Sequence, residues 1–277
     1  MKAKGGGPRL FGFIVLWILM IESGSVFGSV VLGATSTFDW STLRFDLDPG
    51  MSLIPVSRVS HATSSTRRDS IGITDSDSQF AADWATDLSS SSSFVAGGLD
   101  LSGSSQIVGD SMTGAASMTG TFSEGLRAQG GSQRDFTFQV SGSGSITISV
   151  DFTRNTAASN TGGDQGTAFA SSVLTLNNLS NANGILLDPD LVDEAAAVST
   201  LTSSARLPLG GSDSDSDSGT ISLSAVLSDG DLMLLIGQAF SDVFYTAAEV
   251  QRAPEPVTIG LIAIGLLALR RTRRHCP

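Results

Sequence analysis

Lysine is absent from the long central part of this 277-residue chain. Between residues 29 and 253 the basic residues are nine arginines, against 25 aspartates and glutamates, so the net charge is 9 − 25 = −16. Nucleic-acid binding needs a basic patch, so this balance argues against nucleic acid as a partner. An acidic exterior favours solubility instead, and it attracts divalent cations or basic partners.

Cysteine and histidine are almost absent too. The one cysteine is Cys276, so no disulfide can form within the chain. The central part has one histidine, His61, in a polar tract that we expect to be a loop, which disfavours both a Cys–His nucleophile and a histidine-based zinc site. No G-x-S-x-G, phosphate-loop lysine or G-x-G-x-x-G segment occurs. We therefore expect no enzymatic activity.

The N-terminus has the three parts of a secretory signal peptide. Basic residues up to Arg9 precede the apolar run Leu10–Ile21, and mainly small and polar residues follow as far as Gly28. We predict cleavage after Gly28, so that residues 1–28 are removed. The alternative is an uncleaved anchor helix, but about 12 apolar residues fall short of the ~20 that span a bilayer.

Two stretches with a period of two give the clearest structural prediction. Apolar residues alternate with polar ones over Phe136–Val140 and again over Ile146–Phe152, separated by Ser141–Gly144. A short glycine-containing connection between alternating strands is typical of a β-hairpin with one buried face. The sequence therefore predicts that these two strands pair.

A second pair of strands is predicted near the C-terminal end of the central part. Thr220–Leu227 alternates, Ser228–Asp231 is a turn of the Asp-Gly kind, and Leu232–Ile236 is apolar throughout. The uninterrupted run indicates a strand covered on both faces. We expect it to pair antiparallel with Thr220–Leu227.

The remaining stretches are harder to interpret. Residues 29–131 are rich in Ser, Gly and Asp, including the run Ser89–Ser93, and we expect them to be partly ordered β structure with short strands. Arg154–Thr167 is expected to be a polar loop, and Leu191–Val198 one or two helical turns. Together these features predict a mainly β fold. It would be an antiparallel β-sandwich or jelly-roll-like domain with its core over residues 132–246, followed by a linker over 247–256.

A tract of strict Ser-Asp alternation offers a candidate metal site. It places Asp213, Asp215 and Asp217 at i, i+2 and i+4, a spacing similar to the start of a calcium loop. Residue 218 is serine where such a loop has glycine, and residue 224 is serine rather than glutamate. A solvated acidic loop is the favoured interpretation, with no cofactor, and Ca²⁺ is the alternative. Asp75 and Asp77 are a weaker case of the same kind.

The C-terminus combines three features. Pro254, Glu255 and Pro256 come first, then the apolar run Val257–Leu269, and then a basic cluster that consists of Arg270, Arg271, Arg273 and Arg274. As a helix, the apolar run would be about 20 Å long at ~1.5 Å per residue, against a hydrocarbon core of ~30 Å. Arginines beside it hold that end in the cytoplasm. We therefore predict that residues 257–277 form a transmembrane helix followed by a basic tail, which leaves the Pro-Glu-Pro motif at the outer membrane face.

Residues 253–274 resemble the PEP-CTERM sorting signal of Gram-negative bacteria. The resemblance implies recognition by an exosortase-type membrane transpeptidase, and it implies hosts that make exopolysaccharide. It leads us to expect an exported protein that is first anchored in the inner membrane and then reaches the cell surface or the extracellular matrix. A non-enzymatic structural role is the first expectation. The alternative is a carbohydrate-binding or adhesive β-sandwich module, with or without Ca²⁺.

Overall fold

The computed structural model describes residues 29–70, 72–121, 124–161, 165–180, 195–206 and 211–246. Within these ranges the regular structure consists of twelve β-strands. They form two antiparallel six-stranded sheets, which confirms the mainly β prediction. Strand lengths run from 9 to 18 residues, so the expectation of short strands is wrong.

Sheet A has the spatial order β11-β8-β1-β6-β5-β4, and sheet B has the order β10-β9-β12-β7-β2-β3. The strands of sheet A are β1 Val30–Leu47, β4 Leu88–Ala96, β5 Leu99–Val108, β6 Ser111–Gly120, β8 Gly144–Asn160 and β11 Gly211–Leu227. The strands of sheet B are β2 Ser52–Arg68, β3 Gly72–Ala81, β7 Leu126–Ser141, β9 Gln165–Asn178, β10 Ala195–Arg206 and β12 Leu232–Thr246. The two sheets pack face to face as a sandwich.

The two alternating stretches are strands, but they do not pair with each other. Phe138 lies in β7 of sheet B opposite Met233, whereas Ile148 lies in β8 of sheet A opposite Leu223. The connection, with Gly142 at φ 83°, carries the chain from one sheet to the other. A hairpin would set the two apolar faces side by side, and this crossing sets them facing each other. Both arrangements bury the same residues, so the hairpin prediction is corrected.

The same correction applies to the pair near the end of the central part. Thr220–Leu227 belongs to β11, beside β8 in sheet A, while Leu232–Ile236 begins β12 in sheet B. The Asp-Gly turn therefore also crosses between sheets. In β12 Met233 and Leu235 are buried, but Leu232, Leu234 and Ile236 are partly exposed, so this strand is not covered equally on both faces.

The serine-rich first part of the chain is as regular as the rest. It supplies β1 to β6, which are divided between the two sheets, and Ser89–Ser93 lies inside β4. The predicted boundary between residues 131 and 132 falls inside β7. The sandwich interior is therefore built by both parts of the chain, whereas a core over residues 132–246 alone was expected.

Two local predictions also change. Residues 154–160 and 165–167, expected in a polar loop, continue β8 and begin β9. From Ala195 onward the segment expected to form helical turns is the strand β10. Small and β-branched residues in 195–202 suit a strand that pairs with β9, and this pairing overrides the helix tendency of the alanines.

One end of the sandwich interior is filled by aromatic rings, and we call it the aromatic end. Its rings are Phe38, Trp40, Phe45, Trp84, Phe136 and Phe138, with neighbouring centroids 5.2 to 6.1 Å apart. They pack with buried Ile, Leu, Met and Val side chains from both sheets. Such contacts contribute about 0.5–1.5 kcal/mol per aromatic pair beyond the burial of apolar area.

The middle of the interior is thin, and we call it the serine waist. It consists of small side chains from both sheets, Ser36, Ser64, Ser90, Gly103, Gly114, Gly130 and Ser241. Here Cα atoms of β5 and β6 come within 8 Å of those of β7, and Cα atoms of β6 also come within 8 Å of those of β12. These distances are shorter than the ~10 Å usual for stacked sheets. A Cβ added to Gly130 would overlap the carbonyl oxygens of Ser104 and Ala115 across the interface. Glycine is therefore required at this position.

Hydroxyl groups join the two sheets at the serine waist. Ser36 Oγ donates to the carbonyl oxygen of Ser171 at 2.8 Å, and the hydroxyls of Ser64 and Ser90 are 2.8 Å apart. Ser241 Oγ donates to the carbonyl oxygen of Gly114 at 2.8 Å. Each such bond contributes about 0.5–1.5 kcal/mol and satisfies a polar group that burial would otherwise leave unpaired.

Candidate functional site

The predicted sorting motif and basic cluster lie outside the described residues. This applies to Pro254, Glu255 and Pro256, to the arginines at 270, 271, 273 and 274, and to the signal peptide over residues 1–28. In the part of the chain that the structure describes, no helix is long and apolar enough to cross a membrane.

The Ser-Asp tract, expected to be a loop, forms the first half of β11. Asp213, Asp215 and Asp217 pair with Ala158, Thr156 and Arg154 of β8, whose side chains are buried or nearly so. Directly paired residues point to the same side of a sheet, so the three carboxylates face the side of sheet A that carries the interior. The serines between them face outward. Because β11 is the edge strand, the whole tract remains exposed.

A buried arginine holds one of these carboxylates. The side chain of Arg154 is 1% exposed, and its Nη2 donates to Asp217 Oδ2. The guanidinium lies over the ring of Phe152, 4.6 Å from its centroid. Among the described residues, Nε and Nη1 of Arg154 have no hydrogen-bond partner. Asp217 therefore compensates the charge of a buried arginine, whether or not it also binds a cation.

The geometry of the tract bears on the calcium hypothesis. On a strand, carboxylates at i, i+2 and i+4 follow one another at about 7 Å, and Ca²⁺ holds its oxygen ligands at about 2.3–2.6 Å. One ion could bridge two neighbours of the row, but not all three. In the described ranges no group of three His, Cys, Asp or Glu side chains is arranged to hold a metal ion.

Asp75 and Asp77 protect the opposite edge of sheet A. Asp75 Oδ2 accepts from the backbone N–H of Ser93 at 2.9 Å, and Asp77 Oδ2 accepts from that of Ser91 at 3.3 Å. Gln79 Oε1 accepts from the N–H of Ser89 at 3.3 Å. Three side chains of β3 thus cover the free N–H groups of edge strand β4. Covered or charged edges prevent pairing with another chain.

The outer face of sheet B carries a row of connected polar side chains, which we call the amide row. It consists of Gln238, Gln133, Asp135 and His61. Gln238 Nε2 donates to Gln133 Oε1 at 3.4 Å, and Gln133 Nε2 donates to Asp135 Oδ1 at 2.8 Å. Asp135 Oδ2 lies 3.6 Å from His61 Nε2. The row crosses three neighbouring strands, β12, β7 and β2, near the middle of the sheet.

Asp135 is better enclosed than His61, the other titratable group of the amide row. Its side chain is 19% exposed, against 36% for His61. Burial raises the pKa of Asp135, and the hydrogen bond from Gln133 and the proximity of His61 oppose this shift. The arrangement fixes the amide of Gln133, which in turn orients Gln238. It presents donors and acceptors on an open face, which suits ligand binding better than reaction chemistry.

Two phenylalanines flank the amide row. Phe80 of β3 is 61% exposed, and its ring lies 5.0 Å from that of His61. Phe240 of β12 lies against Gly131 of β7, where an added Cβ would come within 3.2 Å of its ring. Because Gly131 has no side chain, the ring of Phe240 can pack against the sheet at this position.

The amide row was missed in the sequence because its members are far apart along the chain. His61 was expected in a loop, but it lies in β2, where the polar residues Ser60, Ser64 and Thr66 are buried around it. Outward-facing residues alternate here with buried ones, the outward ones being His61, Thr63 and Ser65. This alternation indicates a strand, although the inward side is largely polar. Gln133 and Asp135 share an outward face with period two, which the sequence does show.

Comparison with known proteins found no match to the chain, either among models of protein families or among curated proteins.

Proposed function

We propose that this chain is an exported cell-surface or extracellular-matrix protein, delivered through its C-terminal signal, with a non-enzymatic structural role. The observation that carries the proposal is the order of parts along the chain. A segment with the sequence pattern of a secretory leader comes first, the β-sandwich ends at Thr246, and the Pro-Glu-Pro motif begins eight residues later at Pro254.

The proposed route follows from the physical chemistry of the tail. The apolar run with its arginines stops translocation, with residues 29–256 outside and the basic cluster inside. Proline disfavours helical backbone at the residue before it, so a Pro-Glu-Pro motif would suit binding in a protease cleft in an extended conformation. An exosortase-type transpeptidase would then cut the chain there and release it from the inner membrane to the cell surface.

The domain has properties that suit a structural role outside the cell. Its acidic surface keeps it soluble. Carboxylates hinder the pairing of both edge strands of sheet A with other chains, because Asp75 of β3 covers β4 and the Ser-Asp tract lies on β11. Since stability here depends on packing and hydrogen bonds, no disulfide is needed. No cofactor is part of this proposal.

A second candidate function is a carbohydrate-binding or adhesive module. The specific observation that favours it is the amide row with Phe80 and Phe240 beside it on one exposed face. Ligand sites commonly combine a few oriented polar groups with aromatic surface. An exopolysaccharide of the host matrix would be the natural ligand.

Expression in a host with its exosortase, and in the same host without it, tests the principal proposal. Intact-mass analysis of the exported protein is expected to show loss of His275, Cys276 and Pro277 in the first host and retention in the second. Replacement of Pro254, Glu255 and Pro256 by alanine should abolish the cleavage. Ala253→Val is the matched control and should be processed normally. An intact tail on the surface protein of the first host contradicts the proposal.

A further inference from the structure

We propose that the outer face of sheet B binds a neutral polysaccharide chain. Phe80 and Phe240 act as platforms for sugar rings, and Gln133, Gln238 and His61 bind the hydroxyl groups between them. This inference rests on the proposed extracellular location, and it assigns a site and a ligand class to the second candidate function.

The two rings are spaced for an extended ligand. Phe80 lies on β3 and Phe240 on β12, with β2 and β7 between them, so three strand steps separate them. At about 4.8 Å per step, the platforms are roughly 14 Å apart across the sheet. A linear ligand several sugar rings long can contact both. Aromatic faces bury the apolar C–H faces of such rings and leave the hydroxyl edges free.

The polar groups between the platforms match hydroxyl chemistry. Each glutamine amide has two N–H donors and an acceptor oxygen, so it can both give to and accept from neighbouring hydroxyls. Gln133 is held by Asp135 at 2.8 Å, and Gln238 is held by Gln133 at 3.4 Å. Amides that are already oriented lose less conformational entropy when a ligand binds.

The charged groups near the two platforms favour a neutral ligand. Arg127, farther along the sheet, donates to both carboxylate oxygens of Asp242, at 2.9 and 2.6 Å, so this pair is internally balanced. Asp135 contributes a carboxyl group in the middle of the row. With a net charge of 9 − 25 = −16 over residues 29–253, the domain repels acidic polysaccharides.

The outer face of sheet A provides an internal contrast. Its central rows carry Ser, Thr, Ala and Gly, such as Thr35, Ala115 and Ser104, which neighbour one another across β1, β6 and β5. No aromatic side chain points outward from the described strands of this sheet. The proposed site is thus confined to one of the two broad faces.

Affinity electrophoresis of the full chain in a zwitterionic detergent tests this proposal. The gels contain hydroxyethyl cellulose, galactomannan or laminarin as neutral probes, and alginate or polygalacturonate as acidic ones. Retardation is expected with at least one neutral probe and with neither acidic probe. Phe240→Ala, Phe80→Ala and Gln133→Ala should each raise the dissociation constant at least tenfold. Val108→Ala, at a 54% exposed position of sheet A, is the control and should bind normally.

Each remaining outcome overturns the site. No retardation by any neutral probe, retardation by acidic probes alone, or equal binding by all three variants and the control would each do so. Circular dichroism of the variants checks that the sheets are intact, and Phe80 is exposed enough that its loss should not unfold the chain. Failure here is distinguishable from failure of the proposed route, because removal of the tail is measured separately by mass.

Discussion

The aromatic end and the serine waist fill the space between the two sheets with opposite kinds of side chain. At the aromatic end, rings such as Phe136 and Phe138 stand between the sheets and exclude water by their size. At the serine waist, Gly103, Gly114 and Gly130 let the two backbones approach, and hydroxyls form hydrogen bonds across the gap. One region depends on buried apolar area, and the other depends on close contact and polar pairing.

This difference shows that low hydrophobicity does not prevent an ordered interior. Small side chains bury little area, but they also lose little rotamer entropy on folding. Where the two sheets come close, some serine hydroxyls find a partner in the opposite sheet, as Ser36 does with the carbonyl oxygen of Ser171. The two regions should therefore respond differently to substitution.

Removing a ring from the aromatic end should have the largest effect. Phe138 is fully buried, and Phe138→Ala is expected to lower the free energy of unfolding by about 3–5 kcal/mol, because it removes apolar contacts and leaves a cavity. Urea unfolding followed by tryptophan fluorescence measures the change. Val226→Ala, at an 83% exposed site, should change stability by less than about 0.5 kcal/mol. A loss of similar size in both variants would contradict the packing argument.

Adding a methyl group to the serine waist should come next. Gly130→Ala forces a Cβ against backbone of the opposite sheet, which cannot move aside as a side chain would. A loss of about 1–3 kcal/mol is expected from this overpacking. Gly33→Ala is the matched control, because no atom lies within 4 Å of its added Cβ. If both variants melt at the same temperature, the sheets are not closely stacked here.

Removing a hydroxyl from the serine waist should have a smaller effect. Ser36→Ala deletes the bond to Ser171 and the 3.1 Å contact with Ser172, at an expected cost of about 1 kcal/mol. The exposed Ser91 serves as the comparison, and its replacement by alanine should be almost neutral. Equal thermal denaturation midpoints for the two variants would show that the cross-sheet bonds contribute nothing.

The smallest expected effect is a pH dependence of stability that arises from Asp135. This residue lies beside the aromatic end, where its backbone carbonyl accepts a hydrogen bond from Trp84 Nε1 at 3.2 Å. Burial raises the pKa of Asp135 in the folded state. Its stabilising contribution is therefore complete below the unfolded pKa of about 3.9 and is lost as pH rises through the folded value.

Asp135→Asn removes this titration, so the variant should gain stability relative to the parent as pH rises from 3 to 6. The readout is the difference in the free energy of unfolding between the variant and the parent at each pH. The difference is used because other carboxylates change the stability of both proteins with pH in the opposite direction. Glu124 is one, since its hydrogen bond with Ser70, followed by its interaction with Arg68, lowers its pKa. A difference that stays constant with pH would disprove the assignment.

The sequence predicted strands best where apolar residues alternate. Phe136–Val140 and Ile146–Phe152 were placed correctly as strands with one buried face. Their pairing could not be read from the pattern, because alternation identifies the buried side of a strand but not the sheet it joins. In β4 and β2 the buried side is polar or small, so a hydrophobicity pattern had little to detect.

The amide row shows the corresponding limit for sites. Gln133 and Asp135 are close in sequence, but Gln238 and His61 reach them only through the register of β12 and β2 against β7. Strand order is a long-range property, and single residues such as glutamine carry no local pattern. The acidic tract, by contrast, was visible at once, but its strand conformation was not.

The crossings between sheets also determine how this chain can fold. Among the twelve described strands, seven of the eleven consecutive connections pass from one sheet to the other. Even the first strand pairs with a strand that comes much later in the chain, since Val31 of β1 pairs with Ser159 of β8. Folds dominated by such distant contacts form slowly, because the chain must lose the entropy of closing long loops before the stabilising contacts can form. For the export proposed above, slow folding would keep the chain extended while it passes through a secretion channel, so that it becomes compact only after translocation.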